Sequence, residues 1–221
     1  MLHAASSPII ESKPDFLMKV FGYTGMALLT SAFGVYVAPQ ILSPEFLMGG
    51  GRYIFFGIEL LLIFTASWWS QLPRPANILL YLLFAFISGM TIYPLIMVAG
   101  MTLGMGVITK AAIATAALSV AAGVYAKITR HDLVGMTGIF TMLLIGLIIV
   151  GILQMFWFSS VVELYVSGFS VIFFTFFIAR DIQAVSLYPE NRAIEASMSL
   201  YLSIFNLFIS ILRLLMALNR D

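Results

Sequence analysis

Seven apolar runs, each near the ~20 residues that a helix needs to cross a bilayer, set the limits on what this chain can fold into. They cover residues 16–37, 53–69, 77–97, 104–125, 133–155, 161–179 and 197–217. Short breaking segments divide them: Pro39 and Pro44, the Gly49-Gly50-Gly51 triplet, Pro73-Arg74-Pro75, the stretch from Lys127 to Asp132, and Tyr188-Pro189-Glu190-Asn191. None is long enough to fold by itself. Hydrocarbon offers the backbone no hydrogen-bond partners, so runs of this length are expected to be helices. The expected architecture is an all-α polytopic membrane protein. A polar N-terminal tail (residues 1–15) precedes a single seven-helix transmembrane domain (16–221), with the last helix central.

Composition agrees. The chain is 62% hydrophobic and 10% charged, where a soluble domain carries about 25% charged residues. A net charge of +1 without a basic cluster gives no case for a nucleic-acid partner. The absence of cysteine excludes disulfides, iron–sulfur clusters and thiol chemistry. The first residues, with Glu11, Lys13 and Asp15, lack the basic-then-apolar order of a cleaved signal peptide. Lys13, Lys19, Arg74, Lys127, Arg130, Arg180 and Arg192 fall on one side of the spans; Arg52, Arg213 and Arg220 fall on the other. The richer side is expected to be cytoplasmic, giving an inside N-terminus and an outside C-terminus. Trp68, Trp69 and Trp157 are placed where an interfacial aromatic belt would sit.

The last run carries the most specific pattern. Glu195, Ser199, Ser203, Asn206, Ser210 and Arg213 recur at intervals of three and four. At about 100° per residue they fall within an arc of about 80° on one helix face. Polar side chains in a membrane helix face protein or water rather than lipid. The stripe therefore predicts a hydrogen-bonded seam or a solute path.

Three further charges lie in or near spans. Glu59 lies inside the second run, Lys110 at similar depth in the fourth, and Asp181 at the end of the sixth beside Arg180. Glu59 reads either as half of an ion pair with Lys110 or Arg213, or as a cation-attracting group on a path. Lys110 can also snorkel to the surface. Asp181 reads as a solvated helix-end charge or as a carboxylate facing the stripe.

Catalytic signals are weak, and an enzyme is not expected. His3 and His131 lie outside the runs, no carboxylate–histidine motif occurs, and the last run has no lysine for a Schiff base. Nothing predicts a high-affinity metal site or a cofactor. The segment from Gly100 to Lys110 is glycine-rich, but no strand precedes it and its spacing is wrong for a phosphate loop; close helix packing through Gly100 and Gly104 is the expectation. The methionines are scattered and read as lipid-facing filler.

Phe177-Ile178-Ala179-Arg180-Asp181-Ile182-Gln183 and the segment 199–212, with its Leu200-Tyr201-Leu202 and Asn206-Leu207-Phe208, resemble the Bax-inhibitor (transmembrane BAX-inhibitor-motif) family. Residues 86–94 look like that family's third span, and Glu59 sits where its second-span glutamate falls. The resemblance implies seven helices with the last wrapped by six, and a pH-sensitive Ca²⁺ leak. In that mechanism two aspartates of the sixth and seventh spans share a hydrogen bond and a proton. Asp181 matches the first. The second position is Ser203, which cannot titrate in this range. Altered or lost pH gating is therefore expected. Glu195, two turns earlier, is either a substitute carboxylate or a solvated residue at the helix start. Ser70 and Gln71 stand where some relatives carry basic residues, so no latch from there to the aspartate is expected.

A serine at this position, with Asn219-Arg220-Asp221 at the end, is similar to a bacterial YccA-like branch of the family. That implies the bacterial inner membrane and, as an alternative to conduction, a stress-response regulator or substrate of the membrane protease FtsH. The expected partners are the bilayer, Ca²⁺ or another cation in weak transit, and in the alternative FtsH.

Overall fold

The computed structural model describes residues 14–43, 45–46 and 49–219. Within them the chain is helical, and no strand occurs. The helices are α1 (Pro14–Ile41), α2 (Gly51–Phe64), α3 (Ala66–Trp69), α4 (Ala76–Leu103), α5 (Gly106–Ile128), α6 (Thr137–Phe156), α7 (Ser160–Val185) and α8 (Ala193–Leu218). A 3-10 turn, Glu190–Arg192, leads into α8. The polar tail up to residue 13 and the terminal Arg220 and Asp221 lie outside the described residues.

Among the described residues, six helices are long and apolar enough to cross a membrane; α2, with 14 residues, is not. At 1.5 Å per residue it is about 21 Å long against a hydrocarbon core of about 30 Å. The expected second span breaks at Thr65. Its hydroxyl donates to the Leu61 carbonyl at 2.7 Å, and its backbone leaves the helical region at φ −93°, ψ 1°. Thr30, Thr91, Thr115 and Thr175 make the same bond inside unbroken helices, so the bond alone does not end α2; α3 follows as one separate turn. The expectation of seven full-length spans is thus met by six, with α2 short.

Local chemistry accounts for the helix ends. Pro14 and Asp15 open α1, where a missing N–H and a negative charge both suit a helix start. Ser159 caps α7, accepting from the Val162 N–H. Gly104, at φ +79°, makes the turn from α4 to α5, a conformation costly for a residue with a Cβ. Gly104 has open space around it, and Gly100 faces Met105 and Ile108. Gly104 therefore serves a turn rather than the close helix packing expected of it, whereas Gly100 lies within α4 against side chains at the start of α5.

Close packing is found instead between α1 and α4. A Cβ on Gly34 would collide with the Phe86 carbonyl, and one on Gly89 with the Ser31 carbonyl. Ser31 adds an interhelical hydrogen bond from its Oγ to the Ala85 carbonyl at 2.9 Å. Small residues that let membrane helices touch backbone to backbone replace the hydrophobic drive that lipid removes.

Helix α8 is the centre. Half of its most apolar window is buried, against 6% for α6. Helices α1, α4, α5 and α7 all pack on it. Phe173, Ile178, Leu200, Leu207 and Leu212 fill one side of it; Tyr81, Phe84, Tyr201 and Phe205 fill the other. Trp69 joins this second cluster. It is 1% exposed and donates from Nε1 to the Leu62 carbonyl at 2.8 Å. It is a core residue, unlike the exposed Trp68 and Trp157 with which the sequence groups it.

Candidate functional site

Helix α7 runs six residues, nearly two turns, beyond the expected end of its span, to Val185. Asp181 therefore lies inside a helix rather than at its end, 2% exposed. Its Oδ1 accepts from Ser199 Oγ at 3.0 Å and from Arg180 Nη1 at 2.9 Å. Its Oδ2 accepts from Ser203 Oγ at 2.5 Å. The solvated reading of Asp181 is overturned: the carboxylate faces the stripe, where the 100° step of α8 sets two serines one turn apart on its side.

Arg180 completes the site. Its guanidinium donates to Thr137 Oγ1 from Nη2 at 3.0 Å and lies 5.6 Å from the centre of the Phe177 ring. Thr137, Arg180, Asp181, Ser199 and Ser203 thus join α6, α7 and α8 at one point. An ionised carboxylate only accepts, and three donors meet it here. Charge-assisted hydrogen bonds of this kind are about twice as strong as neutral ones.

The rest of the stripe divides. Glu195 accepts from Ser70 Oγ at 2.9 Å and from Arg192 Nη1 at 3.2 Å. It is neither the solvated residue nor the substitute dyad member that the sequence allows; it ties the end of α3 to the start of α8. Ser70 accordingly reaches Glu195 and not Asp181. Asn206 donates to the Leu202 carbonyl at 2.8 Å, and Ser210 to the Asn206 carbonyl at 2.7 Å, both within α8. Arg213 is exposed, because a long side chain near a helix end carries its charge outward.

Glu59 is half-buried on α2 and accepts from Ser88 Oγ of α4 at 2.5 Å. Lys110 is exposed on α5, and no ion pair joins Glu59 to it or to Arg213. The structural ion pair is replaced by a hydroxyl donor. Ser88 and Tyr201 are both fully buried, and Tyr201 Oη lies 2.7 Å from Ser31 Oγ. Tyr201 escapes a reading of the polar stripe because it stands on the opposite face of α8. The signal available was a lone hydroxyl in the apolar Leu200-Tyr201-Leu202 triplet.

Beyond the spans, Tyr188 packs near Asp181. Burial and then the Asp181 charge push its phenol above the ordinary tyrosine range.

Residues 13–220 match the protein family described as inhibitors of apoptosis-promoting Bax1. An uncharacterised protein of Campylobacter jejuni is 30% identical over 206 residues, 92% of this chain and 89% of its own length. One from Borreliella burgdorferi is 30% identical over 217 residues, 92% of each chain. An uncharacterised membrane protein of Streptococcus pyogenes is 27% identical over 213 residues, covering 90% and 91%. Six apolar helices of spanning length, a buried carboxylate clasped by the last of them and this match over nearly the whole chain lead to one conclusion: the chain is a multi-pass integral membrane protein that belongs to the Bax inhibitor family.

Proposed function

We propose that this protein is a passive cation leak, with Ca²⁺ the favoured ion, closed in the conformation described and without a shared-proton gate. The observation that supports it is the clasp on Asp181. A carboxylate is kept inside an apolar bundle by donors on a neighbouring helix, and those contacts are reversible. Ca²⁺ takes oxygen ligands, and the Asp181 carboxylate with the Ser199 and Ser203 hydroxyls offers such oxygens on two helices. So few ligands suit transit rather than storage. Glu59 is the second oxygen site on the route, with Asn206 and Ser210 on the same stripe as Ser203. The protein is no enzyme in this reading. It sits in the bacterial inner membrane, with α2 completing a seventh crossing, the N-terminus cytoplasmic and the C-terminus outside.

The test is Ca²⁺ entry into liposomes holding the purified protein, at about pH 6 and about pH 8, beside Ser203→Asp. Two adjacent carboxylates titrate as a coupled pair. Wild type should leak equally at both values, and Ser203→Asp should become pH-dependent. Flux no greater than through empty liposomes, or flux unaltered by both Asp181→Asn and Glu59→Gln, refutes the leak. Because the chain has no cysteine, single introduced cysteines report the sidedness of each loop cleanly.

One observation favours a second reading. Arg180 lies 2.9 Å from Asp181 and already balances its charge, which leaves less attraction for a passing cation. In that reading the protein is a non-conducting regulator or substrate of FtsH in a stress response, gripped through its N-terminal tail. Removing residues 1–13 should then abolish degradation or modulation while sparing insertion; an unaltered half-life counts against it.

A further inference from the structure

We infer that Met97, Met101 and Met105 form a thioether site for a soft monovalent cation of the Cu(I) kind, at the turn from α4 to α5. The three recur at intervals of four. Residues four apart on a helix are neighbours on one face, so Met97 and Met101 stand together on α4. Met105 would continue the row past them, but the helix ends at Gly104, whose φ of +79° turns the chain. The Met105 side chain folds back instead. Its Sδ lies 2.8 Å from the point where a Cβ on Gly100 would stand. Gly100 comes three residues after Met97 and directly before Met101, so the third sulfur occupies the place of a missing side chain beside the other two. All three methionines line one groove between α1 and α4, together with Tyr36 and Tyr93.

Donor chemistry selects the ion. A methionine sulfur is neutral, polarisable and carried on rotatable bonds, so three on one groove can converge by rotamer changes alone. Soft thioethers select Cu(I), whereas carboxylates and carbonyls suit hard ions. None of the described residues lining the groove is charged, so Ca²⁺, which takes six to eight oxygens, gains little there. Aromatic rings on the same groove add attraction for a cation wherever a ring face meets it. Among the described residues, no group of three His, Cys, Asp or Glu could hold a metal ion, so no harder cluster competes for it. Met101 and Met105 are exposed, which leaves their sulfurs within reach of an arriving ion. The turn also lies at the opposite end of α5 from Lys127, whose charge therefore does not oppose that approach. Residues that read as scattered filler along the sequence are thus gathered by one glycine turn.

The site is independent of the leak reading, and its test uses the purified full chain in nanodiscs. Cu(I), kept reduced by ascorbate in the absence of oxygen, is partitioned between the protein and bicinchoninate. Ag(I), a redox-silent probe of the same softness, is titrated by calorimetry at about pH 5.5 and about pH 7.5. Wild type should bind one ion per chain, equally at both values, because a thioether has no proton to release on binding. Excess Ca²⁺ should not compete. Met97→Leu, Met101→Leu and Met105→Leu conserve side-chain volume. Each should weaken binding at least about tenfold, the loss that metal sites show even for changes beyond the ligands, and the triple variant should lose the ion. Met142→Leu, exposed on α6, is the control and should bind as wild type does. Gly100→Ala places a methyl where the Met105 sulfur lies; that flexible end can move aside, so the variant should fold normally and bind more weakly. X-ray absorption of the Cu(I)-loaded protein should show sulfur neighbours. Retention of the ion in the triple variant, an equal loss in Met142→Leu, release at the lower pH, or a metal with only nitrogen and oxygen neighbours would each overturn the inference.

Discussion

Removing the Ser203 hydroxyl should destabilise the bundle by about 1.5–3 kcal/mol, and removing that of Ser199 by clearly less. The difference follows from how the Asp181 oxygens are served. Oδ1 has two donors, Arg180 and Ser199, so Ser199→Ala leaves it with the guanidinium. The donor to Oδ2 is Ser203, at 2.5 Å. Ser203→Ala leaves that oxygen without it in a site where Asp181 is 2% exposed, so water cannot easily take its place. Neutral interhelical hydrogen bonds in membranes average only about 0.6 kcal/mol. A loss above about 1.5 kcal/mol therefore separates a charge-holding contact from ordinary bundle polarity. The assay is reversible unfolding of the purified protein in mixed micelles by increasing sodium dodecyl sulfate, followed by helicity. Asp181→Asn with Ser203→Ala completes a cycle that isolates the coupling. A loss for Ser203→Ala of less than about 0.6 kcal/mol, or a larger loss for Ser199→Ala, would refute the reasoning.

Three more outcomes follow from the packing. Gly34→Ala and Gly89→Ala should each cost at least about 1–3 kcal/mol, because the added methyl meets backbone that cannot step aside, whereas Gly22→Ala, with nothing near it, should be neutral or slightly stabilising; the same unfolding assay reads all three. The raised phenol of Tyr188 keeps its proton in the folded state where the unfolded chain has lost it, so its contribution is complete below the ordinary tyrosine value of about 10 and falls as pH rises through the folded value. Wild type should therefore lose thermal stability more steeply than Tyr188→Phe above about pH 10, and parallel curves would show the shift to be absent. Trp69 is the buried member of the tryptophan pair, so with Trp68 and Trp157 replaced by Phe its fluorescence should resist acrylamide, while Trp68 alone should be quenched readily.

What the sequence made legible is angular. The helical period put Ser199 and Ser203 on one arc of the last span, and the structure finds both on Asp181. Period says nothing about depth or reach, which is why Arg213, on the same arc, is exposed. Nor does it reveal which charged residue a hydroxyl serves, so Glu59 reads either as paired with Lys110 or Arg213 or as a lone group on a path, while the structure gives it Ser88. Tyr201 counts as apolar in any hydropathy pattern, and the pattern hid it. The contact of Gly34 with Gly89 was illegible for another reason: a glycine advertises a close approach but not the helix that makes it. Apolarity also overstated the second span, because a run of greasy residues does not show that the backbone leaves the helical region at Thr65.

That short helix has a consequence for the bilayer itself. Ile54, Phe56, Ile58, Leu61 and Phe64 of α2 are exposed, so in the seventh crossing proposed above its outer face would be wetted by acyl chains. A helix of about 21 Å cannot match a hydrocarbon layer of about 30 Å. Lipids beside it must shorten, or the layer must pucker, at a fraction of a kcal/mol per ångström. The deformation falls on the side of the molecule that carries Glu59. With α2 as a seventh crossing, acyl-chain length becomes a mechanical load on this protein: thin membranes relieve the mismatch, and thick membranes press on the helix that carries Glu59.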